Sequence, residues 1–189
     1  MDETKERGLL LVAAVIEARD VGAARQAVSR LTLPGQRSIH FCKERDERRR
    51  LILAALRRLP ISVTIHDATS IRGPKEARNA CLRSLVADAG KAERLVLELD
   101  DSRLKADREV LGLHLRRAAL TGQLRYHHLR AHDDRLLAVP DAVAWSWAKG
   151  GEWREIVRPM VQTVHRLGPG ADTRNPAHPP SGRLPGSLP

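Results

Sequence analysis

The stretch Gly8-Leu9-Leu10-Leu11-Val12-Ala13-Ala14-Val15-Ile16-Glu17 decides how the rest of the chain is read. Its apolar run is nearly continuous, the pattern of a strand buried on both faces, and such a strand needs a sheet with helices on each side. The run is far too short to span a bilayer, and the residues before it do not read as a signal peptide.

Moving outward, Ala18 to Leu31 carries Val21, Ala24, Val28 and Leu31 on one helical stripe, and Pro34-Gly35 ends it. Arg37 to Phe41 is a short strand candidate. Asp46 to Leu59 predicts a helix with Ile52, Ala55, Leu56 and Leu59 inside and most of its arginines outside. Ile61 to Ile65 alternates as a strand, and Gly73-Pro74 opens a helix that closes at Gly90. Arg94 to Leu99 and Leu124 to Arg130 are strands flanking a helix over Leu104 to Leu120. Pro140 to Lys149 and Trp153 to Leu167 read as helices, the last one kinked or shortened by Pro159. This interleaving predicts an α/β domain over 1–167, a mixed sheet covered by helices. From Gly168 onward six of the 11 prolines and four of the 13 glycines gather with no periodicity, so 168–189 reads as a disordered tail.

With 33 Lys+Arg against 23 Asp+Glu the formal net charge is +10, which points to a polyanionic partner. Arginine supplies most of the cations. Its planar fork suits phosphate oxygens, and the same preference also follows from a GC-rich coding bias. Two cysteines exclude a disulfide scaffold or a Cys-rich zinc site, and 3% aromatic residues argue against a base-stacking platform. The expectation is a cytoplasmic protein with no membrane association.

In a basic chain the acidic positions are informative. Asp2 and Glu3 precede the first strand run. Glu44 follows Ile39-His40-Phe41-Cys42-Lys43, Glu98 interrupts the apolar Leu95-Val96-Leu97, and Asp100 and Asp101 come directly after it. Asp107 lies on the apolar stripe of its helix, and Asp141 heads another. Carboxylates at strand ends or on apolar faces are costly unless paired, hydrogen-bonded or metal-bound. Several together make a hard-oxygen site for Mg²⁺ or Mn²⁺, and two such ions about 4 Å apart can clamp an in-line phosphodiester cleavage. Plainer roles stand beside this one. Asp141 and Asp107 could complement helix N-termini, and Glu44 could belong to a solvated charge run. Glu98 has the fewest alternatives.

The order Asp2-Glu3-Thr4, His40-Phe41-Cys42-Lys43-Glu44, Leu97-Glu98 and Asp141-Ala142-Val143-Ala144-Trp145 resembles a bacterial family of uncharacterised proteins predicted to be ribonuclease H-like nucleases. The likeness covers about residues 1 to 165. It implies a central mixed sheet and a four-carboxylate Mg²⁺ or Mn²⁺ site made of Asp2, Glu44, Glu98 and Asp141, with Glu3, Asp101 and Asp107 in reserve. It further implies that Lys43, Arg48, Arg49 and Arg50 contact phosphates of DNA or RNA, and that His40 handles protons or supports a ligand. Thr4, Leu99 and Pro140 depart from the family pattern, and Met1 stands where the family's first strand should be finishing. The resemblance therefore implies a truncated first strand, through a late start or a degraded copy.

Other chemistries lack their motifs, since no dinucleotide-binding, phosphate-loop or nucleophile-elbow signature is present. His127, His128 and His132 could suggest a metal cluster, although His128 shares a strand face with Leu124 and Tyr126 and reads better as packed. Trp145, Trp147 and Trp153 recur near helical spacing and read as core. Three functions follow: a metal-dependent nuclease, a non-catalytic nucleic-acid-binding module on the same fold, and an interaction domain whose charge is only compositional.

Overall fold

The structure, a computed structural model, describes residues 8–168. Asp2, Glu3 and, apart from Gly168, the tail expected over 168–189 lie outside the described residues. The elements run β1 (Leu9–Ile16), α1 (Val21–Arg30), α2 (Asp46–Leu56), β2 (Ile61–Ala68), α3 (Pro74–Asp88), β3 (Arg94–Glu98), α4 (Leu104–Arg117), β4 (Arg125–Leu129), α5 (Ala138–Lys149), α6 (Gly151–Val157) and β5 (Val161–Arg166).

β1 pairs antiparallel with β2, and β2 pairs parallel with β5, giving a mixed three-stranded sheet. β3 and β4 form a separate parallel pair joined by α4, as a parallel crossover requires. The mixed α/β expectation holds, but the single sheet is divided in two. The apolar run of β1 explains how the halves stay together. Leu10, Val12, Ala14 and Ile16 pack on the core formed by α1, α2, α5 and α6. Leu11 and Ala13 point the other way, into a second core containing Leu82 and Leu85 of α3, Leu97 of β3 and Leu111 of α4. Alternate residues of one strand thus serve two cores, the period-2 geometry of a strand covered on both faces. Gly8 directly precedes β1, with φ at +82° and an added Cβ standing 2.6 Å from the Thr69 Cα, so this close approach admits only glycine.

Two local readings are corrected. Arg37 to Phe41 forms no strand; a 3-10 turn covers Phe41–Lys43 instead. Ile39 and Phe41 are buried in the first core, so their alternation reflects two anchors of a loop with no ladder partner. The helix expected from Trp153 to Leu167 stops at Val157, and a 3-10 turn containing Pro159 leads into strand β5. Proline removes an amide donor, and the β-branched Val161, Thr163 and Val164 then fill the open edge of β2. The three tryptophans belong to the first core, with Trp145 edge-on to both Phe41 and Trp153 at ring-centroid separations of 5.4 Å.

Candidate acidic site

Glu98 is the last residue of β3, where the strand leaves the second core; the residue as a whole is exposed while its carboxyl is partly shielded from water. The flanking Leu97 is buried and holds the strand end in place. Asp141 sits in the first turn of α5, whose buried Ala138, Val139, Ala142 and Val143 fix the helix against the first core. Its Oδ2 accepts a hydrogen bond from the Phe41 backbone N–H at 3.0 Å, tying the helix start to the 3-10 turn.

The two carboxylates interact. Partial burial pushes the Glu98 carboxyl above its ordinary range, the negative charge of Asp141 pushes it further, and His40 opposes both. Asp141 is also raised, by burial above all, against the lowering effects of the Phe41 N–H and His40. A raised carboxyl at a helix N-terminus runs against the usual effect of the helix dipole, so here desolvation outweighs it. His40 is exposed, and its Nε2 lies 3.3 Å from the Ser38 hydroxyl. Two carboxylates and an imidazole therefore act on one another electrostatically around the end of β3 and the start of α5. The carboxyl end of parallel strands is the usual place for a ligand crevice in open α/β folds.

Glu44 is engaged otherwise. Its carboxylate accepts from Gln36 Nε2 at 3.0 Å and lies 3.4 Å from Arg48 Nε, with the side chain 8% exposed. Arg48 also donates to the Leu31 carbonyl. Arg49 donates to the carbonyls of Phe41 and Cys42 at 3.1 and 2.7 Å and to Asp46 at 2.7 Å, and its guanidinium stacks 4.2 Å above the Trp145 ring. Arg50 pairs with Glu152 at 2.7 Å in the open. Lys43 is exposed in the 3-10 turn beside His40. Of the four basic residues singled out, Arg48 and Arg49 thus clasp the segment that carries His40 and Asp141's hydrogen-bond donor.

The reserve carboxylates stand apart. Asp101 pairs with Arg130 at 3.1 Å on the surface. Asp107, 3% exposed, takes a two-pronged bond from Arg78 at 2.8 and 2.6 Å, the fork geometry of a structural ion pair. His128 packs beside it, and burial holds its pKa down. A group that sequence reasoning passed over is His66, Asp88 and His165, whose ligand atoms all lie within 4.8 Å of one another.

Comparison with known protein families, curated proteins and solved structures finds no match. No helix among the described residues is long and apolar enough to cross a membrane.

Proposed function

We propose that the protein is a Mg²⁺- or Mn²⁺-dependent nuclease of ribonuclease H-like type, hydrolysing phosphodiester bonds of DNA or RNA. The observation that carries this reading is the pair Glu98 and Asp141, drawn from two different elements, each pushed toward protonation and neither paired with a lysine or arginine side chain among the described residues. Like charges held together with so little compensation are stabilised by a bound cation. Two carboxylates suit a hard ion that keeps several waters and also takes substrate phosphate oxygens. Glu98 and Asp141 would be its holders. Once bound, such an ion supplies a hydroxide-like nucleophile at neutral pH and Lewis-acid stabilisation of the phosphoryl oxygens. Asp141 is oriented by the Phe41 N–H, which leaves Oδ1 free to ligate. His40, exposed and acting electrostatically on both carboxylates, would move a proton at its imidazole nitrogen, and the exposed Lys43 would hold a backbone phosphate.

A second reading rests on Glu44. With its carboxylate held by Gln36 and Arg48, it supports a nucleic-acid-binding module without catalysis. Cleavage of labelled DNA, RNA and DNA–RNA hybrid separates the two. The nuclease needs Mg²⁺ or Mn²⁺ and loses at least about 100-fold in rate in Glu98→Gln and in Asp141→Asn. Salt-dependent binding that survives both substitutions, with no cleavage, favours the module. Absence of any such binding overturns both.

A further inference from the structure

His66 is 0% exposed on the central strand β2, and its Nε2 has no hydrogen-bond partner among the described residues. Its other ring nitrogen, Nδ1, lies 2.8 Å from the Ser84 hydroxyl on α3. One helical turn further along α3, Asp88 brings Oδ2 to 4.0 Å from that orphaned Nε2, beyond hydrogen-bond reach. His165, the register partner of His66 across the parallel β2–β5 ladder, stacks on it with ring centroids 5.3 Å apart and planes 14° apart. The His165 Nε2 meets the same Asp88 Oδ2 at 2.7 Å. Strand register and helix spacing thus bring ligand atoms of two imidazoles and a carboxylate within 4.8 Å of one another.

A buried nitrogen without a partner costs free energy in either tautomer. With Nδ1–H donating to Ser84, the Nε2 lone pair faces the carboxylate, and the two repel. With the proton on Nε2 instead, the carboxylate is too far to accept it. A cation between them removes the conflict, because both the lone pair and the carboxylate then point at positive charge. We propose that His66, Asp88 and His165 form a binding site for a borderline first-row divalent ion, Zn²⁺ being the reference, with Ser84 fixing the tautomer of His66.

The donor set favours zinc over magnesium, since imidazole suits Zn²⁺ whereas Mg²⁺ prefers all-oxygen surroundings. Tetrahedral ligand atoms at ordinary Zn–N and Zn–O lengths stand about 3.3 Å apart. Closing the site takes shifts of about 1.5 Å at most together with a turn of the His165 ring off its stack, and the side chains of Asp88 and His165, 37% and 32% exposed, have room to move. His165 is 32% exposed, so the group faces solvent on one side and a fourth position falls to water. Occupancy would clip the edge strand β5 and the end of α3 to β2. The site shares no residue with Glu98, Asp141 or His40, so it stands whether or not the nuclease reading does.

The test titrates Zn²⁺ into the full chain, followed by calorimetry, and Co²⁺, followed by its visible absorption. One ion per chain is expected, in the presence of excess Mg²⁺, with affinity falling at least about tenfold in His165→Ala and in Asp88→Asn. Ser84→Ala should weaken binding by about tenfold while leaving stoichiometry unchanged. His66→Ala opens a buried cavity and could unfold the chain, so the half-exposed His165 and Asp88 variants carry the decision. No stoichiometric Zn²⁺ binding, or equal binding in wild type, His165→Ala and Asp88→Asn, overturns the proposal.

Discussion

The seam between α3 and α4 and the meeting point of β3 with α5 both hold carboxylates on otherwise apolar surfaces, yet they differ in how each charge is met. In the seam, Asp107 is almost fully buried and gripped by both prongs of Arg78. At the β3 end, Asp141 has one backbone N–H, Glu98 has the negative charge of Asp141 as a neighbour, and both carboxyls are pushed upward. A carboxylate with a matched cation serves the fold. One left against a like charge stores free energy that a ligand can release, so the distinction between structural and functional acids lies in the partner and not in burial.

The seam should break hardest. Arg78→Ala leaves the buried Asp107 unpaired and should cost about 3–5 kcal/mol in denaturant unfolding, and Asp107→Ala about as much through the stranded guanidinium. A loss under about 1 kcal/mol would place Asp107 among the weakly held surface acids instead. Next comes Arg49→Ala, which removes two bonds to loop carbonyls and the stack on Trp145. It should cost about 1–2 kcal/mol and loosen hydrogen exchange at the Phe41 amide. At the acidic pair the sign reverses. Glu98→Gln with Asp141→Asn should raise Tm at neutral pH, a gain on the order of 0.5 kcal/mol given the solvent screening at Glu98. The pH dependence follows from the raised carboxyls. The folded state takes up protons at a higher pH than the unfolded chain, so wild-type stability from these groups grows as pH falls through that window. The advantage of the double variant should therefore shrink on acidification, and an advantage that widens would contradict the assignment.

Much of the architecture was legible in the sequence because apolar periodicity reports burial directly. β1, β2, β3, β4 and the helices between them follow from it. β5 did not, because Val157, Met160, Val161 and Val164 also fit a helical stripe, and only the open edge of β2 decides for a strand. Ile39 and Phe41 alternate like strand residues while serving as loop anchors. Of the site, Glu98 was legible as a charge inside an apolar strand, and Asp141 only through the order of motifs. Asp107 looked equivalent to them because its cation, Arg78, comes from another helix. His66 and His165 are far apart in the chain, and nothing in either segment announces the parallel register that stacks them. Non-local pairing is what one-dimensional patterns omit.

In the nuclease proposed above, Glu98 and Asp141 form an under-neutralised pair that takes a hard cation. The most direct measurement is the Tm of wild type and of the Glu98→Gln/Asp141→Asn variant, each with Mg²⁺ or Mn²⁺ titrated from zero to saturation, with His165→Ala included in both backgrounds to silence the other candidate metal site. A saturable rise in Tm is expected for the chain that keeps the two carboxylates and a flat response for the chain that lacks them. Equal rises in both, or none in either, would contradict it.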